Sequence, residues 1–187
     1  MRHHFPLSSL LPAAVLALST GLAGAAEFSL RSPQVRDGGQ LGTAQVFNGF
    51  GCSGGNRSPA LQWSGAPQGT KSFAVTVYDP DAPTGSGWWH WVVYNLPASV
   101  TSLPEGAGTV GGILPTGAVQ GRTDYGTPGF GGACPPAGDK PHRYIFTVHA
   151  LKTDKLDLPA DASPALVGFM LHANRLGQAR FTATYGR

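Results

Sequence analysis

Residues 73–97 read FAVTVYDPDAPTGSGWWHWVVYNLP and hold two apolar segments on either side of a short loop. Residues 72–78 and 88–96 are rich in β-branched and aromatic side chains, which is typical of strands. The loop between them carries Gly and Pro, which interrupt regular structure. The stretch therefore predicts two strands that meet where two acids, Asp79 and Asp81, follow the first of them.

The rest of the chain has the same character. Among 187 residues, 27 Gly and 16 Pro favour turns and short strands, and charged residues make up only 12%, against about 25% in an average globular protein. Further strands are predicted at residues 27–31, 60–63, 143–151 and 180–185, and residues 97–141 form a long Gly/Pro-rich region. The length and the lack of internal repeats predict one mainly β domain.

A single helix is predicted within residues 157–178, DLPADASPALVGFMLHANRLGQ. Ser163 can cap it, Pro164 suits its first position, and Gly177 would lie just past its end. Its apolar residues recur at helical spacing, at Leu166, Phe169, Met170 and Ala173. The helix is therefore expected near the C-terminus, followed by the closing strand.

The N-terminal segment predicts a secretory signal peptide over residues 1–25. Arg2 precedes an apolar run at residues 10–18, and AGA at 23–25 provides a small-residue cleavage site. The run is shorter than the roughly 20 residues that span a bilayer, and no lipobox cysteine follows it, so no stable membrane anchor is expected. An uncleaved anchor is the alternative. The mature domain would span residues 26–187 in a periplasmic or secreted location.

Charge and cysteine usage narrow the function classes. Loss of Arg2 with the signal peptide leaves 12 basic and 10 acidic residues, and they are scattered, which argues against nucleic-acid binding. Cys52 and Cys134 are an even pair in a chain directed to an oxidising compartment, which indicates a disulfide. Two buried thiols are the alternative.

Five polar side chains are expected to converge on one site. Asp79 and Asp81 are two residues apart in an extended segment, so their carboxylates can point to the same side. His90 follows a short loop in WWHWVVYNLP, where alternation groups it with Trp88, Val92 and Tyr94. His142 and Tyr144 share a face of the later strand. Imidazole and phenol groups can donate to phosphate oxygens, and carboxylates accept from ammonium or hydroxyl groups. This set predicts a site for a small phosphoester head group.

Taken together, the motifs YDPDAP, HWVVYNLP and GACPPAGDKPHRYIFTVHAL resemble the phosphatidylethanolamine-binding protein (PEBP) family, and within it the bacterial YbhB/YbcL branch, also called Raf kinase inhibitor-like. The likeness covers the whole mature chain. It implies a large antiparallel Greek-key sheet packed on a smaller sheet, with a C-terminal helix. It also implies a pocket for phosphate-like anions at one end of the large sheet.

The family's pocket motifs correspond here to Asp79, Asp81, His90, His142 and Tyr144. The resemblance adds Pro135 and Pro136, gives the loop at Phe130 to Gly132 as a wall, and places Trp89 close by; no metal or cofactor is expected. The lipid and kinase partners of eukaryotic members do not transfer, because the short loop carries Thr84 instead of the usual Ser or Asn.

Three function classes follow from these features. The first is a non-enzymatic binding protein for a small phosphorylated or anionic ligand. The second is an inhibitor or signalling regulator that acts on a protein partner, and the third is a hydrolase. No nucleophile elbow or H-E-x-x-H motif supports the hydrolase, so the protein is expected not to be an enzyme.

Overall fold

The computed structural model describes Met1 and residues 27–187. The signal peptide expected at residues 1–25 lies outside the described residues, apart from Met1. No helix among the described residues is long and apolar enough to cross a membrane.

A five-stranded antiparallel sheet forms the centre of the domain. Its spatial order is β10-β9-β5-β6-β8, with bounds Ser72–Asp79 (β5), Trp88–Pro97 (β6), Val119–Gln120 (β8), His142–Leu151 (β9) and Arg175–Tyr185 (β10). Strands β5, β6 and β8 follow one another, and β9 returns to lie beside β5. This order is the Greek key predicted for the large sheet.

Smaller elements complete the β architecture. A three-stranded sheet of order β1-β4-β7 contains Ser29–Arg31 (β1), Leu61–Ser64 (β4) and Ser102–Leu103 (β7). A short hairpin pairs Asn48–Gly49 (β2) with Cys52–Ser53 (β3), and Thr43–Gln45 form a 3₁₀ turn. The mainly β fold with a second sheet is thus confirmed.

The two faces of the large sheet are covered by different elements. Trp91, Val93 and Phe146 on one face pack with residues of the three-stranded sheet, such as Leu61 and Trp63. The opposite face packs against the helix α1, Pro164–Asn174, in a cluster that includes Val92, Tyr94, Val167 and Leu171. At the end of the sheet where β5 ends and β6 and β9 begin, buried polar side chains adjoin the apolar core, among them Asp79, His90 and His142.

The predicted helix forms with its expected start and an earlier end. Ser163 Oγ accepts a hydrogen bond from the Leu166 N–H at 3.2 Å, and Pro164 is the first helical residue. The chain turns directly from Asn174 into β10 at Arg175, so the closing strand begins five residues before the predicted position. The helix is apolar nearly all round, and its buried residues are Pro164, Val167 and Leu171.

A β-bulge changes the face assignment of β6. The register of β5 against β6 shifts between Val77 and Tyr78, which leaves His90 without a partner opposite. His90 therefore lines the cavity and meets the Tyr144 ring edge-on, whereas Val92 and Tyr94 pack toward the helix on the other face. The predicted grouping of His90 with Val92 and Tyr94 is wrong, because simple alternation does not continue through a bulge.

Cys52 and Cys134 form a disulfide, as the compartment argument indicated, with their Cα atoms 6.1 Å apart. The bond joins the β2–β3 hairpin to the Gly/Pro-rich segment before β9. It thereby links two loops at the end of the large sheet where β5 ends and β6 and β9 begin.

Candidate functional site

A cavity of about 210 Å³ opens at the end of the large sheet where β5 ends and β6 and β9 begin. Antiparallel pairing brings these three strand ends together, so residues distant in sequence meet there. The lining contains Asp79, His90, His142 and Tyr144, which were expected to converge. Loop residues close the other sides: Phe50, Ala82, Pro83, Thr84, Tyr125, Cys134, Pro135 and Pro136, together with Trp88 at the start of β6.

Asp79 is the last residue of β5 and is only 3% exposed. One carboxylate oxygen, Oδ1, accepts from the N–H groups of Asp81 at 2.8 Å and Ala82 at 3.1 Å. The other oxygen, Oδ2, accepts from His142 Nδ1 at 2.7 Å. The buried carboxylate thus closes the turn after the strand and orients the histidine with the same group.

His142 begins β9 and is also buried. Because its Nδ1 donates to Asp79, its other nitrogen is the one available to a ligand. Nε2 lies 3.5 Å from Asp139 Oδ2, which is longer than an ordinary N–H···O hydrogen bond. Asp79 therefore leaves His142 with one ring nitrogen that has no close hydrogen-bond partner.

His90 lies across the cavity on the bulge of β6. Its Nδ1 is 2.8 Å from the carbonyl oxygen of Gly131. Burial lowers the pKa of His90, because the charged ring loses hydration, and the bond to Gly131 and the charge of Asp79 oppose this shift. The ring is therefore neutral at neutral pH in the free protein.

Two buried donors beside the cavity have no hydrogen-bond partner in the described residues. They are the Tyr144 hydroxyl and the Trp88 indole N–H. The indole N–H of Trp88 lies close to the Tyr125 hydroxyl, whose ionised form it would stabilise by donation, but it does not meet the geometry of a hydrogen bond. Burial first, and then the charge of Asp79, raises the pKa of both Tyr144 and Tyr125, so both phenols keep their protons. The site therefore offers neutral O–H and N–H donors.

Tyr125 is a site residue that the sequence interpretation did not identify. Its hydroxyl donates to the Gly132 carbonyl at 2.7 Å and lies 3.4 Å from His90 Nδ1. Its ring is stacked on Phe50 and meets Trp88 edge-on. Tyr125 lies in an irregular loop, where no periodic pattern identifies the face of a side chain. Trp88 could have been predicted as a site residue, since alternation placed it on the same face as His90.

The loop walls of the cavity are tied together from behind. Cys134, Pro135 and Pro136 line it, and the disulfide joins this segment to the hairpin that carries Phe50. The side chain of Arg187 donates to the carbonyl oxygens of Pro135, Gly51 and Phe50. The C-terminal residue and the disulfide therefore hold the same two loops.

Asp81 does not line the cavity, although its carboxylate was expected to converge with that of Asp79. It accepts from Arg143 through the backbone N–H at 2.9 Å, Nε at 2.8 Å and Nη2 at 2.7 Å. The Arg143 side chain lowers the pKa of Asp81 to about 2. Alternation fails here because Asp81 lies in the turn after β5, no longer in an extended strand.

Three other expected neighbours lie outside the lining. Phe130 is buried in the core beside Trp91. Gly132 packs against the backbone of residues 45–47, where a Cβ would lie only 2.6 Å from the Val46 carbonyl carbon. Trp89 lies on the opposite face of the sheet, toward the helix. Phe130 and Gly132 therefore do not line the cavity. They flank Gly131, whose carbonyl oxygen contacts the ring of His90.

The charge of the site comes from acids and histidines alone. Among the described residues, no lysine or arginine lines the cavity. The described residues contain no group of three or more His, Cys, Asp or Glu side chains arranged to hold a metal ion. Any positive charge facing a ligand must therefore come from a protonated imidazole.

Comparison with known proteins agrees with this architecture. The family model for phosphatidylethanolamine-binding protein matches residues 31–186. The chain is 60% identical to the UPF0098 protein YbcL of Escherichia coli strain K12 over 96% of this chain and 98% of that protein. It is 54% identical to the UPF0098 protein YbhB of the same strain over 83% of this chain and 98% of that protein. The crystal structure of E. coli YbcL, described as a new member of the mammalian PEBP family, superimposes with a TM-score of 0.84 over 87% of this chain and 99% of that chain, at 62% identity.

Proposed function

The chain belongs to the phosphatidylethanolamine-binding protein family, and from that premise we propose that it binds a small phosphate or phosphoester head group in the cavity at the strand ends. Members of this family are generally binding proteins. The observation that carries the proposal is the set of hydrogen-bond donors beside the cavity that the protein itself leaves unused. They are the hydroxyl of Tyr144, the indole N–H of Trp88 and, when it carries a proton, Nε2 of His142.

The size of the cavity suits a head group better than a lipid tail. Its volume of about 210 Å³ is below the roughly 300–1,000 Å³ of pockets that enclose drug-sized molecules. Buried donors without partners are costly in a folded protein unless a ligand or water completes them. An oxyanion with several acceptor oxygens can complete more than one of them at once.

Asp79 supports the same chemistry from behind His142. The carboxylate accepts from Nδ1 and so orients the ring, and an anion that accepts from Nε2 would complete the hydrogen bonds of the imidazole on both sides. Because no lysine or arginine of residues 27–187 lines the cavity, these residues can add positive charge to the site only by taking up protons. This is consistent with an anion affinity that increases as the pH falls.

The proposal is tested by calorimetric titration of purified protein with inorganic phosphate at about pH 6, within the titration range of histidine. Binding with one site per chain is expected, together with a loss of about tenfold or more in His142→Ala, since a charge-assisted hydrogen bond is lost. The matched control is His172→Ala, because His172 is an exposed helical histidine outside the cavity. Equal affinities in both variants would contradict the proposal.

A periplasmic or secreted location is part of the proposal. The disulfide between Cys52 and Cys134 supports it, since such bonds persist in oxidising compartments. Cell fractionation of the source bacterium with an antibody to the chain tests it, and recovery of the protein in the cytoplasmic fraction would contradict it.

A role as a regulator of a partner protein is the second candidate. Phe50 favours it, because this apolar side chain is 68% exposed at the mouth of the cavity, where a ligand can alter its surroundings. Affinity purification from periplasm with the wild type and His142→Ala tests it. A stoichiometric partner that the variant fails to retain would favour this function.

A further inference from the structure

Two contacts with Gly131 determine which ring nitrogen of His90 carries the proton. The Gly131 N–H donates to the His90 carbonyl at 2.8 Å, and His90 Nδ1 lies 2.8 Å from the Gly131 carbonyl oxygen. A carbonyl oxygen can only accept, so the proton of the neutral ring is on Nδ1. Nε2 makes no hydrogen bond in the described residues and is not sealed off from the cavity. The ring therefore directs a lone pair, and not an N–H, toward a bound ligand.

The surroundings of His90 keep this state at neutral pH. Burial is the largest influence and lowers the pKa of His90, whereas the backbone groups of Gly131 and Gly132 and the charges of Asp79 and Asp124 act in the other direction. The titratable groups that face the ring come from β5, β9 and the loop before β9: Asp79, His142, Tyr144, Asp124 and Tyr125. Tyr125 and Tyr144 stay neutral, for their pKa values are raised. An anion that reaches Nε2 therefore meets an acceptor.

A lone pair on Nε2 discriminates between oxyanions that are otherwise alike. Hydrogen phosphate carries a P–OH that can donate to Nε2, while its other oxygens accept from His142 and Tyr144. Sulfate has the same shape and the same double negative charge near neutral pH, but it has no hydrogen to donate. A phosphomonoester can carry a P–OH after uptake of one proton near pH 6, and a phosphodiester has none.

We propose that His90 determines specificity by accepting a hydrogen bond from the ligand, so that the cavity selects oxyanions that carry their own hydroxyl, namely hydrogen phosphate and singly protonated phosphomonoesters, over sulfate and phosphodiesters. This inference rests on the proposed function. It points to a free phosphate or a soluble phosphomonoester, because the head group of an intact phospholipid is a diester.

The decisive comparison uses the full mature protein and two inorganic anions. At about pH 7.5, where a histidine of lowered pKa is neutral, phosphate is expected to bind at least about tenfold more tightly than sulfate, since sulfate leaves a buried acceptor unpaired. At about pH 5 the ratio is expected to narrow, because His90 can then take up a proton with the anion and donate to either one. Calorimetry at both pH values measures the two ratios.

A variant isolates the role of the ring nitrogen. His90→Gln offers an amide that can donate to sulfate, so its phosphate-to-sulfate ratio is expected to fall toward one at about pH 7.5. His172→Gln carries the same exchange outside the cavity and is expected to keep the wild-type ratio. Should His90→Gln not fold, phosphoethanolamine against glycerophosphoethanolamine in the wild type supplies a second comparison at about pH 5.5, where the monoester carries a P–OH and its phosphate has the same single charge as that of the diester. The monoester is expected to bind more tightly.

The possible outcomes distinguish the proposed role of His90 from the proposed binding of an anion in the cavity. Equal affinity for phosphate and sulfate in the wild type at about pH 7.5 would overturn the role of His90 and leave the anion site standing. Tighter binding of the diester than of the monoester would overturn it as well, and would point to a lipid head group. Absence of binding by both inorganic anions at both pH values would overturn the proposed function and this inference with it.

Discussion

Asp79 shows how a single buried carboxylate organises this site at the scale of the residue. It accepts from two turn N–H groups and from His142, so three donors compensate its removal from water. The neighbouring acid, Asp81, has a separate role, since it holds Arg143 outside the cavity. Two acids only two positions apart in sequence thus act on different partners.

Replacing Asp79 with asparagine distinguishes the role of its side chain in the turn from the effect of its negative charge on His142. In Asp79→Asn the amide oxygen can still accept from the Asp81 and Ala82 N–H groups, but the negative charge beside His142 is gone. Phosphate affinity is expected to fall about tenfold, because the charge-assisted hydrogen bond that orients His142 is lost. Calorimetry measures it, with thermal unfolding as a control for the fold. Unchanged affinity in a folded variant would argue that His142 does not carry charge in the complex.

His149 predicts an acid-sensitive contribution to stability away from the cavity. It is buried, its Nε2 lies 3.1 Å from Thr76 Oγ1, and burial lowers its pKa to about 4. The unfolded chain, whose histidine has a pKa near 6.5, binds the proton first as the pH falls. Stability from the neutral ring is therefore complete above about pH 6.5 and decreases toward about pH 4, by an amount on the order of 3 kcal/mol.

Urea unfolding of the wild type and His149→Gln between about pH 4 and 7 measures this contribution. The wild type is expected to lose stability across that window, and the variant to show a flatter dependence. His172→Gln, at an exposed histidine of the helix, serves as the control and is expected to follow the wild type. Parallel curves for His149→Gln and the wild type would contradict the assignment.

At the scale of the element, the cavity depends on irregular features of regular strands. The bulge at His90 turns β6 so that Trp88 and His90 face the cavity while Val92 faces the helix. The loop at residues 129–132 passes behind His90 and receives hydrogen bonds from its ring and from Tyr125. The site is thus formed where a strand deviates from its own periodicity.

Gly132 allows that loop to approach the 3₁₀ turn. A Cβ at this position would lie 2.6 Å from the Val46 carbonyl carbon, so backbone would have to move. Gly132→Ala is expected to lower the free energy of unfolding by about 1–3 kcal/mol, the usual cost of overpacking. Gly42→Ala is the matched control, because its Cβ would meet only the Gln45 side chain at 3.5 Å, and its effect is expected to stay within about 1 kcal/mol. Similar effects in urea unfolding would contradict the close approach.

Much of the element-scale description was accessible from sequence, and the exceptions have physical causes. The strands of FAVTVYDPDAPTGSGWWHWVVYNLP and the capped start of the helix followed from local composition. The face of Val92 and the direction of Asp81 did not, because a bulge and a turn interrupt alternation. Tyr125 was missed because its loop has no period, and its position depends on contacts made far along the chain.

At the scale of the whole molecule, two cross-links keep the mouth of the cavity in place. The disulfide joins residues 82 positions apart, and Arg187 ties the C-terminus to the same loops. Neither feature belongs to the large sheet itself. The ends of β5, β6 and β9 form one side of the cavity. The positions of the loops on the other sides depend on the disulfide and on the hydrogen bonds of Arg187, which join residues distant in sequence.

Removal of the disulfide is expected to weaken both stability and binding. In Cys52→Ser/Cys134→Ser the free energy of unfolding should fall by about 2–4 kcal/mol, since the unfolded chain loses a long-range restraint. Phosphate affinity should fall as well, because Cys134 lines the cavity and Phe50 is on the joined hairpin. Urea unfolding and calorimetry measure the two effects. A variant with wild-type stability would contradict the structural role of the bond.

The most direct measurement of the central claim is histidine ring ¹⁵N NMR during titration with inorganic phosphate. Signals of His90 and His142 are expected to shift together and saturate with one binding constant, while those of His149 and His172 remain in place. Saturable binding that moves neither His90 nor His142 would place the anion elsewhere and contradict the account.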